Sequence, residues 1–389
     1  MTKKKILWVV YDFVQAGGQR YVYEICKALD KEKYDIDILR LSEKGADKNW
    51  DKEFYEQPTS DLGCNIMLYS FLVNKWEKEV YGKKTLSKKM LAKVFTGATA
   101  EVTWLNNCLS DFLQGYDAVN FGGINAYRTL CITNEVHPFN SIIHILTARF
   151  QDNRDIYEGM DKTRRYQFVS SFTAEILQHE LEGFSNYHHT YYPLCFEAEG
   201  AEVPALENSD VVIAVFTRLS SMKPLDPYFY GLKLLLEQGM KITLKVYGAG
   251  SPAEAGFQRQ LSYLYLTRHV SFEGHVNSIK DTLVQSPPHL VWFQSNNKIP
   301  AGYAALEVAS CGVPQLFWDF SYTGQQLEMG TIFPSFTSIS AFVAYSKELL
   351  LNEVARNKLG ADQKAYTLTH YSSSAHIHIL EKLFSEQTG

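Results

Sequence analysis

The sequence predicts an α/β protein built from two doubly wound parallel-sheet domains that face a cleft. Apolar strand-like runs alternate with helical patterns in both halves of the chain, as is typical of parallel sheets covered by helices. An acidic and polar stretch with Pro and Gly, residues 197–210, separates the halves. With 389 residues, the chain is long enough for two ordinary domains. We therefore predict domains at 1–200 and 201–370, and a closing helix at 371–389 that packs on the first domain.

Composition narrows the class of protein before any motif is considered. Apolar residues make up 46% and charged residues 21% of the chain, which is ordinary for a globular protein and excludes a disordered one. The net charge of −5 provides no basic field, so we expect no nucleic-acid partner. The six cysteines form no CxxC pair, and we expect reduced thiols rather than a zinc or redox site.

The sequence shows no targeting or membrane-spanning segment, so we expect a cytoplasmic protein. The apolar run near the N-terminus ends at Asp12 and is too short for a signal peptide. Residues 75–95 contain seven Lys and two Glu, and their apolar side chains fall near one helical face. Such a helix can lie on an anionic membrane surface, here the inner face of the membrane, or be an ordinary surface helix with solvated lysines.

The first half opens with a strand, a glycine loop, a helix and a second strand. This order, at 5–11, 12–20, 20–32 and 34–41, predicts a parallel βαβ unit. Gly17 and Gly18 either let a ligand approach the backbone at a helix N-terminus or serve only the geometry of the turn. Further strands are predicted at 116–123, 141–146, 166–171 and 188–196, with a helix at 172–183.

The second half repeats this alternation. Strands are predicted at 211–219, 241–250, 270–276, 289–295 and 313–320, and helices at 226–240, 254–266, 278–286 and 302–312. In open α/β sheets, ligands bind at the carboxyl ends of the strands. Glycines and charged residues at those ends are therefore the candidates for a binding site.

Four motifs follow one another at these predicted strand ends. The first is R-x4-K in FTRLSSMK, with Arg218 and Lys223, and the second is a glycine turn in VYGAG, with Gly248 and Gly250. The third is SFEGHV, with Gly274, His275 and Val276. The fourth is GYAALEVASCGVP, with Gly302, Tyr303, Glu307 and Gly312. With the N-terminal glycine loop, this ordered set resembles the motifs of the GT-B glycosyltransferases, specifically the large retaining family 4. The resemblance spans most of the chain and implies two Rossmann-like domains in the GT-B architecture.

The resemblance implies transfer of a sugar from a nucleoside-diphosphate sugar to a hydroxyl of a carbohydrate or lipid-linked glycan acceptor. It further implies retention of the anomeric configuration, a role in surface polysaccharide or glycoconjugate synthesis, the acceptor in the first domain and the donor in the second. No metal or other cofactor is expected. Asp35 and Asp37 have D-x-D spacing but lie in an apparent strand, so we interpret them as solvent-facing acids.

The predicted catalytic residues are Arg218, Lys223 and His144. A nucleoside diphosphate leaves with negative charge, which a metal-free enzyme must neutralise with fixed cations and helix N-termini. Arg218 offers a planar fork and Lys223 a point charge, unless both are simply solvated loop residues. His144 is the candidate for a histidine that the family often places against the donor sugar, although a histidine in an apolar strand is more often a core residue. Arg149, just beyond, is a comparable candidate.

Glu307 stands alone among small and apolar residues. The resemblance implies that its carboxylate accepts hydrogen bonds from both ribose hydroxyls of the nucleotide, whereas the alternative is an acid favoured by the helix start. The family usually has a second glutamate eight positions earlier, where this chain has Ile299. The contact with the donor sugar is then either lost or made by another residue such as Asn296 or Asn297. Either the donor sugar is unusual, or the protein is catalytically silent and serves as a glycan-binding or partner subunit of an active transferase.

Overall fold

The computed structural model describes most of the chain as two compact units. The described residues are 2–43, 53–81, 103–146, 150–171, 177–178, 180–191, 194–196, 203–204, 211–220, 223–253, 255–295, 302–320 and 332–386. Unit 1 comprises Met1–Cys195 together with Ser373–Gly389, and unit 2 comprises Phe196–Ser372. The C-terminal segment thus belongs with unit 1, although it follows unit 2 in the sequence.

Unit 1 contains a sheet of seven parallel strands in the order β3-β2-β1-β4-β5-β6-β7. The strands are β1 (Lys4–Val10), β2 (Tyr34–Arg40), β3 (Asn65–Leu68), β4 (Ala118–Phe121), β5 (Ser141–Ile145), β6 (Arg165–Ser170) and β7 (Asn186–Tyr191). Ile6, Leu7, Trp8 and Val9 on β1 are fully buried, so this strand is covered on both faces. Burial on both faces explains its uninterrupted apolar run.

The helices of unit 1 alternate with these strands along the chain. They are α1 (Gly17–Ala28), α2 (Glu56–Asp61), α3 (Tyr69–Tyr81), α4 (Ile124–Tyr127), a π-helical turn (Arg128–Ile132), α5 (Phe150–Glu158) and the C-terminal α12 (Ser373–Glu386), with a further helical segment at 103–114. On α1, Tyr21, Val22 and Ile25 are buried, at the spacing of a single helical face.

Unit 2 contains a sheet of six parallel strands in the order β10-β9-β8-β11-β12-β13. The strands are β8 (Val211–Phe216), β9 (Ile242–Tyr247), β10 (Val270–Gly274), β11 (Leu290–Ser295), β12 (Gln315–Asp319) and β13 (Ser335–Phe336). The helices are α6 (Asp226–Glu237), α7 (Phe257–Tyr263), α8 (Ile279–Gln285), α9 (Gly302–Ser310), α10 (Ile339–Leu351) and α11 (Glu353–His370). Two separate apolar clusters, on opposite faces of the sheet, form its core.

Some elements depart from the sequence prediction. The short strand β3 and helices α10 and α11 were not predicted, and β7 ends at Tyr191 rather than reaching residue 196. Strand β3 has only four residues, all at least partly exposed, so it lacks the apolar run that marks a buried strand. Most of the predicted helix at 172–183 lies outside the described residues.

Each sheet reverses its winding direction at one point. In unit 1, the chain moves outward from β1 to β3 and then returns to β4 on the other side of β1. In unit 2, it moves from β8 to β10 and returns to β11 beside β8. The crevice at the carboxyl ends of the two strands flanking such a switch point is where open α/β sheets bind ligands.

The described residues bear on the basic segment, on membrane-spanning helices and on metal sites. Among the described residues, none of the helices combines the length and apolar character that a membrane span requires. The basic segment enters α3 at residues 75–81, and its remainder, 82–95, lies outside the described residues. Within the described part of the chain, no group of three or more His, Cys, Asp or Glu side chains is placed to hold a metal ion.

Candidate functional site

The turns after β8, β9 and β10 are bonded to one another at the carboxyl edge of the unit 2 sheet. The backbone N–H of Thr217 donates to the Tyr247 carbonyl at 2.9 Å, and that of Leu219 donates to the Ala249 carbonyl at 2.8 Å. The Gly248 N–H donates to the Gly274 carbonyl at 2.7 Å. Three predicted motifs, separated by tens of residues in the sequence, therefore form one continuous rim.

The two glycines of the VYGAG motif allow this rim to close. A Cβ atom on Gly248 would lie 1.6 Å from the Thr217 carbonyl oxygen, a distance that only a backbone shift could relieve. A Cβ atom on Gly250 would lie 2.2 Å from the Leu219 carbonyl oxygen, and Gly250 has φ +120°. Both positions thus require glycine for turn packing, whatever ligand the rim binds.

Arg218 lies within this rim, directly between the two bonded residues Thr217 and Leu219, and its side chain is exposed. Lys223 is half-buried, and its backbone N–H closes a turn on the Ser220 carbonyl at 2.9 Å. His275 is exposed and Val276 is half-buried against the apolar cluster on the α8 and α9 face. The fold therefore presents Arg218 to solvent at the end of β8.

Helix α9 starts on the other side of the switch point, after β11. Its first residue, Gly302, has φ +57°, and a Cβ atom there would meet open space. Tyr303 is buried, with its ring 6.4 Å from that of Phe196. Glu307 is half-buried one turn further along the helix, beside Cys311. Because β11 pairs directly with β8, Arg218 and the first turns of α9 lie at the same crevice of the sheet.

The surroundings of Glu307 combine charges of both signs. Burial raises the pKa of the neighbouring Cys311 thiol, and the Glu307 carboxylate adds to that rise. Lys364 and Lys280 act on the same thiol in the opposite direction, which places both ammonium groups in this neighbourhood. A carboxylate at this position offers two oxygens that accept hydrogen bonds. Ile299, Asn296 and Asn297 lie outside the described residues.

Unit 1 has a cavity of about 510 Å³ at its own switch point. The carboxyl ends of β1, β4 and β5 and the first turn of α1 form its walls. Apolar side chains such as Val10 and Ile145 line one part, and Asp12, Gln19 and Arg128 line another. The Asp12 carboxylate accepts a hydrogen bond from the Gln19 side chain at 2.7 Å. Sequence reasoning missed these polar residues, although Asp12 directly follows the first predicted strand.

The N-terminal glycine loop contributes to this cavity through one of its two glycines. Gly18 lines the cavity, and a Cβ atom there would lie 3.3 Å from the Leu146 side chain. Gly17 is exposed at the start of α1, with open space where a Cβ atom would be. The loop thus reaches a ligand-sized space at Gly18, and the donor-binding role predicted for Gly17 and Gly18 stays a prediction.

His144 lies in the core of unit 1. It is fully buried, and its ring centroid is 4.6 Å from that of Trp8. Nε2 is 3.0 Å from the Asn120 side-chain oxygen, which can only accept, so Nε2 carries the proton. Nδ1 then accepts from the Tyr21 hydroxyl at 2.8 Å. Burial, with His376 adding to it, lowers the pKa of His144 well below its usual range.

This geometry matches the alternative interpretation of His144, a core residue with both ring nitrogens hydrogen-bonded. The cavity is lined instead by its neighbours Ile145 and Leu146. The catalytic role of His144 therefore stays a prediction that its position does not favour. Arg149 lies outside the described residues.

The chain is similar over nearly its full length to solved glycosyltransferase structures. TarM superposes with a TM-score of 0.72 at 12% identity, covering 99% of each chain. Sucrose-phosphate synthase from Thermosynechococcus elongatus superposes with a TM-score of 0.66 at 12% identity, again over 99% of each chain. Anabaena HepE in complex with UDP and glucose gives a TM-score of 0.62 at 11% identity, over 98% of this chain and 99% of that one. No protein-family model and no curated protein sequence matches the chain.

At identities this low, structural similarity shows the fold and leaves the activity to be argued from the site. Two doubly wound parallel sheets, each with one switch point, are the architecture that the ordered motifs predicted. The assignment to the retaining family 4 stays a prediction. The chain therefore has the fold of the GT-B glycosyltransferases.

Proposed function

We propose that this protein is a glycosyltransferase that moves a sugar from a nucleoside-diphosphate sugar to a hydroxyl of a carbohydrate or lipid-linked glycan acceptor. The observation that carries the proposal is the convergence of Arg218, the bonded glycine turns and helix α9 with Glu307 at one switch-point crevice. These residues are far apart in the sequence, and together they offer the chemistry that a nucleoside diphosphate needs. Anabaena HepE, which shares the fold, has been solved with UDP and glucose.

In the proposed donor site, three groups of residues bind different parts of the nucleotide. Glu307 accepts hydrogen bonds from the two ribose hydroxyls, which a carboxylate can do with both oxygens. The first backbone N–H groups of α9 face the diphosphate, and Gly302 has no side chain that would block its approach. Arg218 and Lys223 offset the charge that builds on the diphosphate as the bond from the anomeric carbon to its oxygen breaks. The acceptor oxygen forms the new bond to that carbon, and its proton passes to the departing diphosphate.

The unit 1 cavity is the proposed site for the acceptor sugar. Its lining combines the half-exposed ring of Tyr11 with the hydrogen-bonding side chains of Asp12 and Gln19. An aromatic face covers the C–H surface of a sugar ring, while a carboxylate and an amide bind its hydroxyls. A volume of about 510 Å³ is within the usual range for a small-ligand pocket.

Other parts of the proposal rest on the motif resemblance alone. These are retention of configuration, independence from metal ions and a role in surface polysaccharide synthesis. UDP is the first nucleotide to test, because a protein of the same fold has been solved with it.

Calorimetric titration with UDP, GDP and dTDP tests the donor site. We expect one nucleotide to bind with micromolar affinity, and Glu307→Ala to weaken it roughly tenfold or more through the loss of charge-assisted hydrogen bonds. Glu237→Ala is the matched control, because Glu237 is an exposed acid paired with Lys233 on another helix of the same unit. If the wild-type protein binds none of the three nucleotides, the proposal fails.

Ile299 favours a second candidate function, a catalytically silent protein that binds glycans or partners an active transferase. The two functions differ in turnover. An active transferase slowly hydrolyses its nucleotide sugar without acceptor, whereas a silent protein binds the nucleotide and releases no sugar. Measuring free sugar from UDP-glucose, UDP-GlcNAc and UDP-galactose therefore separates them.

A further inference from the structure

Unit 1 places two buried cysteines beside one lysine. Cys26 lies on α1, and Cys64 lies directly before β3. The two are 0% and 4% exposed. The Lys31 ammonium lies 3.6 Å from the Cys64 sulfur and donates a hydrogen bond to the Cys26 carbonyl oxygen at 2.6 Å. Each of the two thiols also shifts the pKa of the other, so both belong to the surroundings of Lys31. The wide sequence spacing of these cysteines gave no sign of this pair.

The contacts make the two sulfurs chemically unlike. The hydrogen bond from Cys26 and the charge of Lys31 lower the pKa of the Cys64 thiol, against the opposing effects of burial and Asp37. The same hydrogen bond and burial raise the pKa of Cys26, to which Cys195 contributes. Of the two thiols, Cys64 therefore ionises at the lower pH, and Cys26 keeps its proton to higher pH. Because the thiolate is the nucleophile, Cys64 is the reactive member of the pair.

Cys108, Cys131 and Cys311 lack this environment. Burial alone raises the pKa of Cys131. Cys108 is half-exposed, and burial together with Asp111 and Glu79 raises its pKa. Burial also raises the pKa of Cys311. Lys31 and Cys26 thus distinguish Cys64 from these thiols by chemistry rather than by exposure.

We propose that Cys64 is an oxidation site for peroxides and that Cys26 resolves the oxidised sulfur as a disulfide. The Cys64 thiolate attacks one peroxide oxygen, the O–O bond breaks and hydroxide leaves, which gives a sulfenic acid. The Cys26 sulfur then attacks the Cys64 sulfur, and the hydroxyl departs with the Cys26 proton as water. Two thiols and one hydrogen peroxide thus give one disulfide and two waters, and the thiols supply both electrons.

The position of the pair connects it to the cavity. Cys26 lies on α1, and the first turn of the same helix supplies Gly18 and Gln19 to the cavity lining. A disulfide would join this helix to the turn that leads into β3. The proposal concerns the thiols alone and is independent of whether the protein transfers sugars.

A competition among the six cysteines of the wild-type chain tests the proposal. The reduced full-length protein is treated with increasing hydrogen peroxide, blocked with iodoacetamide, digested and analysed by mass spectrometry. We expect a linked Cys26–Cys64 peptide to appear first, while half-exposed Cys108 stays reduced. If exposure governed the reaction, Cys108 would be oxidised first. That order, or no Cys26–Cys64 link at all, overturns the proposal.

Two variants separate the roles of the neighbours. Lys31→Met should slow the oxidation of Cys64 roughly tenfold, the effect of one unit in the thiol pKa. Lys33→Met is the control, because this exposed lysine pairs with Glu381 and lies away from the sulfurs. Cys26→Ser should stop the reaction at the sulfenic acid, which dimedone traps at Cys64. Equal rates for the two lysine variants, or no trapped sulfenic acid, contradict the proposal, and circular dichroism establishes that each variant is folded.

Discussion

The two units share one sheet topology, yet they differ at the switch point. In unit 2, the turns after β8, β9 and β10 bond to one another and form a continuous rim that contains Arg218. In unit 1, the corresponding edge opens into a cavity of about 510 Å³ with Asp12 and Gln19 in its lining. Strand order therefore determines where a ligand binds, and the turns determine which chemistry it meets there.

The glycines at these two edges show the same difference. In unit 2, Gly248 and Gly250 are required because neighbouring carbonyl oxygens occupy the space of a side chain. In unit 1, Gly17 has open space in the same position. The glycine turn after β9 is thus a packing requirement, whereas Gly17 has room for a side chain and only Gly18 of that loop lines the unit 1 cavity.

The largest expected effect tests the exposed guanidinium in the unit 2 rim. Arg218→Gln should lower kcat about 10²–10³-fold, the usual cost of removing one group that stabilises transition-state charge. Steady-state kinetics with the donor identified by calorimetry provide the measurement. Arg268→Gln serves as the control, because Arg268 is also exposed in unit 2 but lies before β10. An unchanged kcat would show that Arg218 is a solvated loop residue.

The next largest effect concerns protein stability and compares alanine substitutions at Gly248 and Gly17. Gly248→Ala should destabilise unit 2 by about 3 kcal/mol or more, because the new methyl group forces two bonded turns apart. Gly17→Ala should change stability by less than about 1 kcal/mol, because its site is open. Urea unfolding measures both changes in the free energy of unfolding. Trp292 fluorescence reports on unit 2 and Trp8 fluorescence on unit 1, in proteins whose other tryptophans are replaced by Phe. Equal losses would mean that the two loops are alike.

Two variants, one in each unit, test whether unit 2 binds the donor and unit 1 binds the acceptor. Glu307→Gln should weaken UDP binding roughly tenfold or more while leaving the KM for the acceptor unchanged. Asp12→Asn should raise the KM for the acceptor roughly tenfold and leave UDP binding unchanged. Calorimetry and acceptor-dependent kinetics on both variants provide the measurements. If Asp12→Asn weakens UDP binding instead, the unit 1 cavity holds part of the donor.

The smallest expected effect concerns His144 and pH. Its pKa is low in the folded protein and ordinary in the unfolded chain, so the unfolded state binds an extra proton below the ordinary histidine pKa. The resulting stability is present at pH 7.5 and is lost as the pH falls, by about 1 kcal/mol for a full pH unit below 6.5. Denaturation curves at pH 7.5 and 5.5, compared between wild type and His144→Gln, measure it. A lowered kcat in His144→Gln at unchanged stability would instead support a catalytic role.

Sequence reasoning was most successful where the signal was local. Apolar runs and glycine turns located most strands of both sheets, and the ordered motifs led to the GT-B fold. It was least successful for contacts between distant residues. The partners of His144 are Tyr21 and Asn120, which the sequence does not link to it. Short β3 and half-exposed β7 were missed or misplaced because neither has the buried apolar run that identifies a central strand.

The sequence by itself determined the succession of strands and helices, because hydrophobic period and turn chemistry are properties of neighbouring residues. It also determined the order of the motifs at the strand ends of unit 2. Only the tertiary structure decided that Gly248 meets a carbonyl oxygen and that Lys31 lies beside Cys64. Such contacts form when the sheet brings together residues far apart in the chain, and no local pattern specifies that distance.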